Sequence, residues 1–277
     1  MQILDALDRF VTQLEADGRS PHTIGQYRRH VRALAAWVGP GSTLGDLSHE
    51  VVARFLAAPA ARTRPDGGVK KATSVNSLRT SLRQFLGFAH AAGWTPENHA
   101  RLVRPALCGR PLPKALPDAD VARLLAAITD ARDRALVHLL LGTGIRLGSA
   151  LALDASDIDF DRGEITLRRA KGDRVERVYL PRATAEVLRG YLGRRPAGRV
   201  FPITARHAHR RVAHWLAVAG ITRPASPHAL RHTFATRLLA KTHDIALVQK
   251  ALRHRSITST MVYAAMDDRR VREAVEA

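Results

Sequence analysis

The segment SPHALRHTF, residues 226–234, holds the densest group of side chains that could do chemistry. Its two histidines, His228 and His232, are four positions apart, which is the spacing of two zinc ligands on one face of a helix. A zinc protease helix would carry a glutamate as general base after the first histidine, but position 229 is alanine. No third ligand is evident nearby. The segment therefore favours binding of an anion over binding of a metal ion.

The same segment has the signals of a helix start. Ser226 is a typical N-cap and Pro227 a typical first helical residue, so His228 falls in the first turn. Arg231 follows three residues later on the same face, whereas Leu230 points to the core. A helix N-terminus, an imidazole and a guanidinium would then meet at one point, as in a phosphate site. Taken alone, the segment would favour a surface His–Arg pair that binds nothing.

Further residues of fitting chemistry are spread over the second half of the chain. The sequence GTGIRLG sets an arginine in a glycine-bounded turn, AKGD sets a lysine at a predicted hairpin tip, and ALRHRSITSTMVY holds a histidine and a tyrosine nine residues apart. With these motifs the chain resembles the tyrosine recombinases of the phage integrase family, and its length and layout resemble the compact Xer-type members. Six residues match the family's catalytic residues in order: Arg146, Lys171, His228, Arg231, His254 and Tyr263.

Phosphodiester chemistry needs residues of these types. Attack on an anionic phosphodiester adds negative charge to the non-bridging oxygens, which Arg146 and Arg231 can bind through planar, permanently charged forks of donors. A tyrosine hydroxyl has a pKa of about 10, so its proton must leave during attack, and His228 could accept it. His254 can donate a hydrogen bond.

The resemblance implies the rest of the reaction. Tyr263 would be the nucleophile and Lys171 the general acid for the leaving 5′ oxygen, giving a 3′-phosphotyrosyl link without a metal ion, ATP or any other cofactor. The 5′-hydroxyl of a partner strand would reverse the step, and two rounds would exchange duplexes through a Holliday junction. The expected partners are double-stranded DNA with specific sites and further copies in a tetramer, with a related recombinase or an accessory protein as an open further partner.

Three positions depart from the family pattern. The acidic residue usual three places after the first arginine is Ser149, the glycine usual before the second histidine is Arg253, and the glycine usual before the hairpin lysine is Ala170. Ser149 removes a carboxylate that would help to hold Arg146, and Arg253 adds charge near the site. No proton-transfer residue is lost, so we expect an active enzyme.

The overall composition fits a nucleic-acid partner. The chain has 277 residues with 44 Lys+Arg against 25 Asp+Glu, a formal charge of +19, which favours a polyanion. Cys108 is the only cysteine, so an intrachain disulfide is impossible. We expect a cytoplasmic, nucleoid-associated protein because no secretory signal and no apolar run of about 20 residues is present.

The N-terminal part shows helical periodicity with basic faces, which predicts a small all-α unit. Arg28, Arg29 and Arg32 lie on one predicted helix, and Lys70, Lys71, Arg79 and Arg83 cluster at the start and along one flank of another. We expect these seven to bind DNA, although a charged helix face is as often merely solvated. Residues 1–94 form the predicted core-DNA-binding domain, 95–113 a basic, proline-rich linker, and 114–277 the catalytic domain with a C-terminal tail.

The catalytic part predicts helices around one strand pair. Alternating residues predict strands at Glu164 to Arg168 and Val175 to Leu180, joined by a turn at Gly172-Asp173. The fold class is therefore mainly α with a small antiparallel β-sheet. By resemblance, it is a two-domain, C-shaped DNA clamp with a tyrosine recombinase catalytic fold. The tail after Tyr263, with Val271 and Val275 on one helical face, would dock on its own subunit or on a neighbouring one.

Other functions remain compatible with the sequence. A type IB topoisomerase or a hairpin telomere resolvase uses the same chemistry, but the compact helical N-terminus favours a recombinase. A DNA-binding relative that no longer cleaves is left open by Ser149. Metal-dependent hydrolysis is a more distant alternative. The biological role stays open among chromosome dimer resolution, phage integration and transposition.

Overall fold

The computed structural model describes residues 1–108, 115–168, 175–193, 197–223 and 225–253. The chain divides into two compact units, Met1–Arg110 and Pro111–Ala277. In the described residues, no helix has both the length and the apolar character needed to span a membrane.

The first unit is helical, as predicted. Two of its helices begin at serine N-caps, since the Ser20 hydroxyl accepts a hydrogen bond from the Thr23 amide at 3.2 Å and the Ser48 hydroxyl accepts one from the Val51 amide at 3.3 Å. A one-turn helix after the third helix was not predicted. The helices are α1 (Ile3–Ala16), α2 (Pro21–Val38), α3 (His49–Ala57), α4 (Pro59–Arg62) and α5 (Ala72–Ala91).

The apolar faces of these helices form one core, in which aromatic rings join α1, α2 and α5. Phe10 meets Tyr27 edge to face at 5.4 Å between ring centroids and Phe85 at 5.7 Å. After α5 the chain runs back along the helices. There the side-chain amide of Asn76 donates to the Ala106 carbonyl at 2.9 Å and accepts from the Ala106 amide at 2.7 Å.

The second unit combines seven helices in its described part with a small sheet. The helices are α6 (Asp118–Ala127), α7 (Ala131–Thr143), α8 (Leu147–Ala152), α9 (Arg182–Leu192), α10 (Ala205–Val218), α11 (Pro227–Thr242) and α12 (Ile245–Leu252). The strands are β1 (Ile158–Asp159), β2 (Glu164–Arg168) and β3 (Val175–Tyr179), antiparallel in the order β1-β2-β3. The predicted fold class, mainly α with a small antiparallel sheet, is confirmed.

The sheet agrees with the predicted strand pair to within one residue and adds β1. Ile165 of β2 pairs with Val178 of β3, and both are buried because alternate residues face the helices. β1 has only two residues, too few for alternation to be recognised in sequence. The predicted turn at Gly172-Asp173 lies outside the described residues.

A buried carboxylate holds α7 against α10. Asp133 is 2% exposed and accepts hydrogen bonds from Arg132 at 2.9 Å, Arg211 at 2.5 Å and the Trp215 indole at 2.8 Å. Burial by itself would raise the pKa of Asp133, but the bonds from Trp215, Arg211 and Arg132 outweigh it and lower the pKa. Asp133 is therefore ionised at neutral pH, and its network fixes the helix that leads into the turn before Arg146.

Candidate active site

A cavity of about 660 Å³ lies between α8, the sheet and the end of α12. Three of its lining residues, Arg146, Ser149 and Arg253, are ones that the sequence analysis singled out. The other charged lining residues are Asp154, Asp157, Arg168 and Glu176. This volume falls within the range of ligand sites, and the lining includes three guanidinium groups and three carboxylates.

Arg146 is placed by a tight turn between α7 and α8. Gly144 ends α7 with a φ of 61°, and Arg146 is the N-cap residue of α8. A β-carbon on Gly144 would collide with the Phe234 ring of α11, so only glycine allows this close approach. The Arg146 side chain is exposed, and it makes no ion pair with any other residue in the described part of the chain.

Arg231 is buried beneath this turn. Its side chain, on α11, is 2% exposed. One guanidinium nitrogen donates to the Gly144 carbonyl, and the other terminal nitrogen donates to the Leu252 carbonyl at 2.6 Å. Arg231 therefore links the turn that leads to Arg146 with the end of α12, which leads to Arg253 and His254.

His228 lies in the first turn of α11, where the sequence predicted it. Pro227 is the first helical residue, whereas the Ser226 side chain makes no capping hydrogen bond although it occupies the N-cap position. His228 is exposed, and its ring meets that of His232 edge to face at 4.6 Å. His228 and Arg231, which the sequence predicted on one face of this helix, thus differ in burial: the imidazole is exposed and the guanidinium is buried.

Ser149 lines the cavity at the position where the family that this sequence resembles usually has an acidic residue, and Arg146 makes no ion pair in the described part of the chain. The other two arginines of the cavity are paired. Arg168 lies 2.8 Å from Asp157, and Arg253 lies 3.6 Å from Glu176. Among the lining arginines, Arg146 is thus the cation whose charge no described carboxylate offsets.

Sequence reasoning missed the contribution of β3 to this cavity. Glu176 lies on β3, and no motif distinguishes it from any other charged residue of an alternating strand. Arg253 was noted only as added charge, whereas the structure gives it a left-handed backbone and a specific partner.

Three of the six predicted catalytic residues, Lys171, His254 and Tyr263, lie outside the described residues. Ala170 does so too. The chain nevertheless brings their neighbours to the cavity, since β3 begins four positions after Lys171 and Arg253 directly precedes His254.

The seven predicted DNA-binding residues fall into two groups. Three make contacts within the first unit: Arg28 lies 3.8 Å from Glu15, Lys70 donates to the Ala61 carbonyl at 3.1 Å, and Arg79 donates to Asn76 at 3.0 Å. The other four are exposed, and they are Arg29, Arg32, Lys71 and Arg83. The exposed four are thus better placed to bind a phosphate backbone.

His30 lies between α2 and α5, where its ring shares a hydrogen bond with the Ser81 hydroxyl at 2.7 Å. Burial, followed by the positive charges of Arg29 and Lys70, lowers the pKa of His30 from 6.5 to about 4. The ring is therefore neutral at physiological pH, in the midst of basic residues.

This shift predicts a loss of stability in mild acid. Between the unfolded value of 6.5 and the folded value of about 4, the unfolded chain binds a proton that the folded chain does not. The stability is complete above pH 6.5 and decreases as the pH falls toward 4. The protection factors of the α2 and α5 amides, which are corrected for the intrinsic effect of pH on hydrogen exchange, should therefore fall between pH 7 and pH 5. His30→Gln should remove that fall, and equal pH dependence in both proteins would contradict the prediction.

The zinc alternative gains no support from the described residues, in which no three His, Cys, Asp or Glu side chains cluster as metal ligands would. His228 and His232 are neighbours on α11, and arginines rather than carboxylates lie around their helix in sequence.

Comparison with known proteins covers nearly the whole chain. Residues 114–270 match the phage integrase family, and residues 7–93 match the N-terminal SAM-like domain of phage integrases. The tyrosine recombinase XerA of Thermococcus kodakarensis is 32% identical over 98% of this chain and 94% of its own length. The tyrosine recombinase XerC of Chromobacterium violaceum is 32% identical over 95% of this chain and 90% of its own length.

Solved structures share the fold at lower identity. A XerH site-specific recombinase bound to a palindromic difH substrate, in a post-cleavage complex, superposes with a TM-score of 0.75 at 22% identity, covering 96% of this chain and 84% of that one. A lambda integrase dimer bound to a COC′ core site gives a TM-score of 0.75 at 21% identity, covering 94% and 97%. With the family match over more than half of the chain and relatives above 30% identity, this protein belongs to the phage integrase family of tyrosine recombinases.

Proposed function

We propose that this protein cleaves and rejoins specific DNA sites through a 3′-phosphotyrosyl intermediate on Tyr263, without a metal ion or ATP. One observation carries the proposal: the buried Arg231 joins the Gly144 turn before Arg146 to the end of α12 before His254. Arg146 and Arg253, which are far apart in sequence, thereby line one cavity.

Arg146 and Arg231 are assigned to the phosphate. Arg146 is exposed at the cavity without a carboxylate partner in the described residues, so its charge is available to the non-bridging oxygens. Arg231 is fixed in place because its planar guanidinium donates hydrogen bonds to the Gly144 and Leu252 carbonyls. Fixed donors cost little reorganisation as charge develops in the transition state.

The remaining predicted catalytic residues are assigned to proton transfer and hydrogen bonding. His228, exposed at the start of α11, accepts the proton of the Tyr263 hydroxyl, and His254 donates a hydrogen bond to the phosphate. Lys171 protonates the 5′ oxygen as it leaves. The phosphotyrosyl ester conserves the energy of the broken bond, so rejoining by a 5′-hydroxyl requires no ATP.

The assembly is proposed by extension from similar structures. The XerH and lambda integrase structures hold DNA, and a further lambda integrase structure is a tetramer bound to a Holliday junction. We propose that four copies of this chain act on two duplexes in the same way. The exposed Arg29, Arg32, Lys71 and Arg83 would bind the DNA backbone from the core-DNA-binding domain, residues 1–94, with residues 95–113 as a basic linker to the catalytic domain.

A DNA substrate also indicates the cellular location of the protein. A chain with a charge of +19 that acts on chromosomal or phage DNA belongs in the cytoplasm with the nucleoid. A non-cleaving relative is the alternative that a specific observation favours, since Ser149 leaves Arg146 without its usual carboxylate.

Covalent trapping tests the proposal. The protein is incubated in EDTA with a site recovered by DNA selection and nicked just past the scissile phosphate, so that the released fragment diffuses away and the link persists. We expect a protein–DNA band that survives denaturation, and peptide mapping should find the DNA on Tyr263. Tight binding without a band would instead identify a non-cleaving relative. A band that forms without EDTA and disappears when EDTA is added would indicate metal-dependent chemistry instead.

A further inference from the structure

Arg253 has a backbone conformation that L-residues rarely adopt. At the end of α12 its φ is 52° and its ψ is 45°. His243 is the other residue besides glycine with a positive φ in the described part of the chain, and it is exposed at the end of α11. Glycine would adopt either conformation without steric cost. A strained residue that persists in a cavity points to a function that offsets the strain.

The Arg253 side chain makes a specific contact. Its Nε lies 3.6 Å from Oε2 of Glu176, and the two side chains are only 14% and 24% exposed. A partly buried pair of opposite charges is screened less by solvent than a surface pair and attracts more strongly. The contact connects the end of α12 to β3, two elements that are 77 positions apart at these residues.

Both elements lead directly to catalytic positions. Glu176 is the second residue of β3, five positions after Lys171, and Arg253 immediately precedes His254. On the other side, Arg231 holds the Leu252 carbonyl at 2.6 Å. The end of α12 is therefore held from two directions, by Arg231 from the core and by Glu176 from the sheet.

We propose that Arg253 and Glu176 are a positioning pair that ties β3 to the end of α12, and that the pair thereby sets the general acid Lys171 relative to the scissile phosphate. The inference rests on the proposed function, because it assigns the pair to the step in which the 5′ oxygen leaves. Neither residue is assigned a contact with DNA.

Arg253→Gly separates this role from a role in folding. Glycine relieves the strained backbone, so the melting temperature should stay unchanged or rise, while covalent complex formation should slow by about 10-fold to 100-fold, as for a displaced catalytic group. Glu176→Gln should slow the reaction to a similar extent. The double variant should be no slower than the slower single variant, because the two residues act as one unit.

His243→Gly is the matched control for the backbone change. It relieves the other positive φ of a non-glycine residue in the described part of the chain, at an exposed helix end outside the cavity. We expect unchanged or raised thermal stability and an unchanged rate of covalent complex formation. Arg182→Ala, which removes a 95% exposed, ion-paired arginine, controls for the loss of a positive charge.

A second substrate identifies the step. When sulfur replaces the bridging 5′ oxygen, the leaving thiolate has a pKa near that of a cysteine thiol, about 8.5, and needs no general acid. We expect Arg253→Gly to react with the sulfur substrate within about 3-fold of wild type, because a misplaced general acid no longer matters. Three results for Arg253→Gly would each contradict the positioning role. They are a defect of equal size on both substrates, full activity on the oxygen substrate, and a lowered melting temperature.

The wild-type protein distinguishes failure of the proposed function from failure of the positioning role. If wild type forms no covalent link to either substrate, the proposed function is wrong, and so is the positioning role that depends on it. If wild type links to both and Arg253→Gly matches it on both, the phosphotyrosyl mechanism stands and only the positioning role is wrong.

Discussion

Arg231→Ala is expected to lower the free energy of unfolding by about 3–5 kcal/mol and to abolish covalent complex formation. Arg231 is 2% exposed, and its guanidinium satisfies the Gly144 and Leu252 carbonyls. Alanine would leave both acceptors without these donors and would leave a cavity below the turn. The turn before Arg146 and the end of α12 would then lose the group that connects them.

Urea unfolding of the full chain, followed by its tryptophan fluorescence, measures the stability change. Arg237→Ala is the matched control on the same helix, because Arg237 is 43% exposed and pairs with Asp118 at 2.5 Å. An exposed pair of this kind contributes at most about 1 kcal/mol. Equal losses in the two variants would contradict the structural role of Arg231.

Arg231→Lys tests whether the planar fork matters beyond its charge. Lysine keeps the positive charge, but a single ammonium group on a flexible stem cannot reproduce the fixed fork that serves both carbonyls. We therefore expect intermediate stability and a covalent complex that forms far more slowly than in wild type.

Arg146→Ala is expected to slow covalent complex formation by about 10²-fold to 10³-fold while changing stability by no more than about 0.5 kcal/mol. The side chain is exposed and makes no ion pair in the described part of the chain, so the fold does not depend on it. Arg146 lines the cavity, and position 149, which also lines it, is serine and not an acidic residue. Loss of this donor removes stabilisation from the pentacoordinate transition state.

Single-turnover trapping on the nicked site measures this rate. Tyr263→Phe gives the background signal, because it cannot form the covalent link. Arg182→Ala gives the effect on the rate of removing an arginine from an exposed face of the same unit. A rate within about 3-fold of wild type would show that Arg146 does not contact the transition state.

The sequence alone determined the types and order of the catalytic candidates, and most of the elements that carry them. Helices followed from apolar residues at steps of three and four, because burial of one face stabilises a helix that would not persist alone. The strand pair followed from alternation, and Ile165 and Val178 are indeed buried. β1 and α4 escaped prediction because two and four residues are too few to show a period.

The tertiary structure decided which of these residues act together. The spacing on α11 predicted that Arg231 shares a face with His228, but only the fold shows that its guanidinium also donates to carbonyls 87 and 21 positions away. Glu176 acquires its partner Arg253 only when β3 meets the end of α12. Spacing along one helix reports neighbours on that helix, whereas long-range packing sets a side chain's burial, its partners and the backbone strain that it can tolerate.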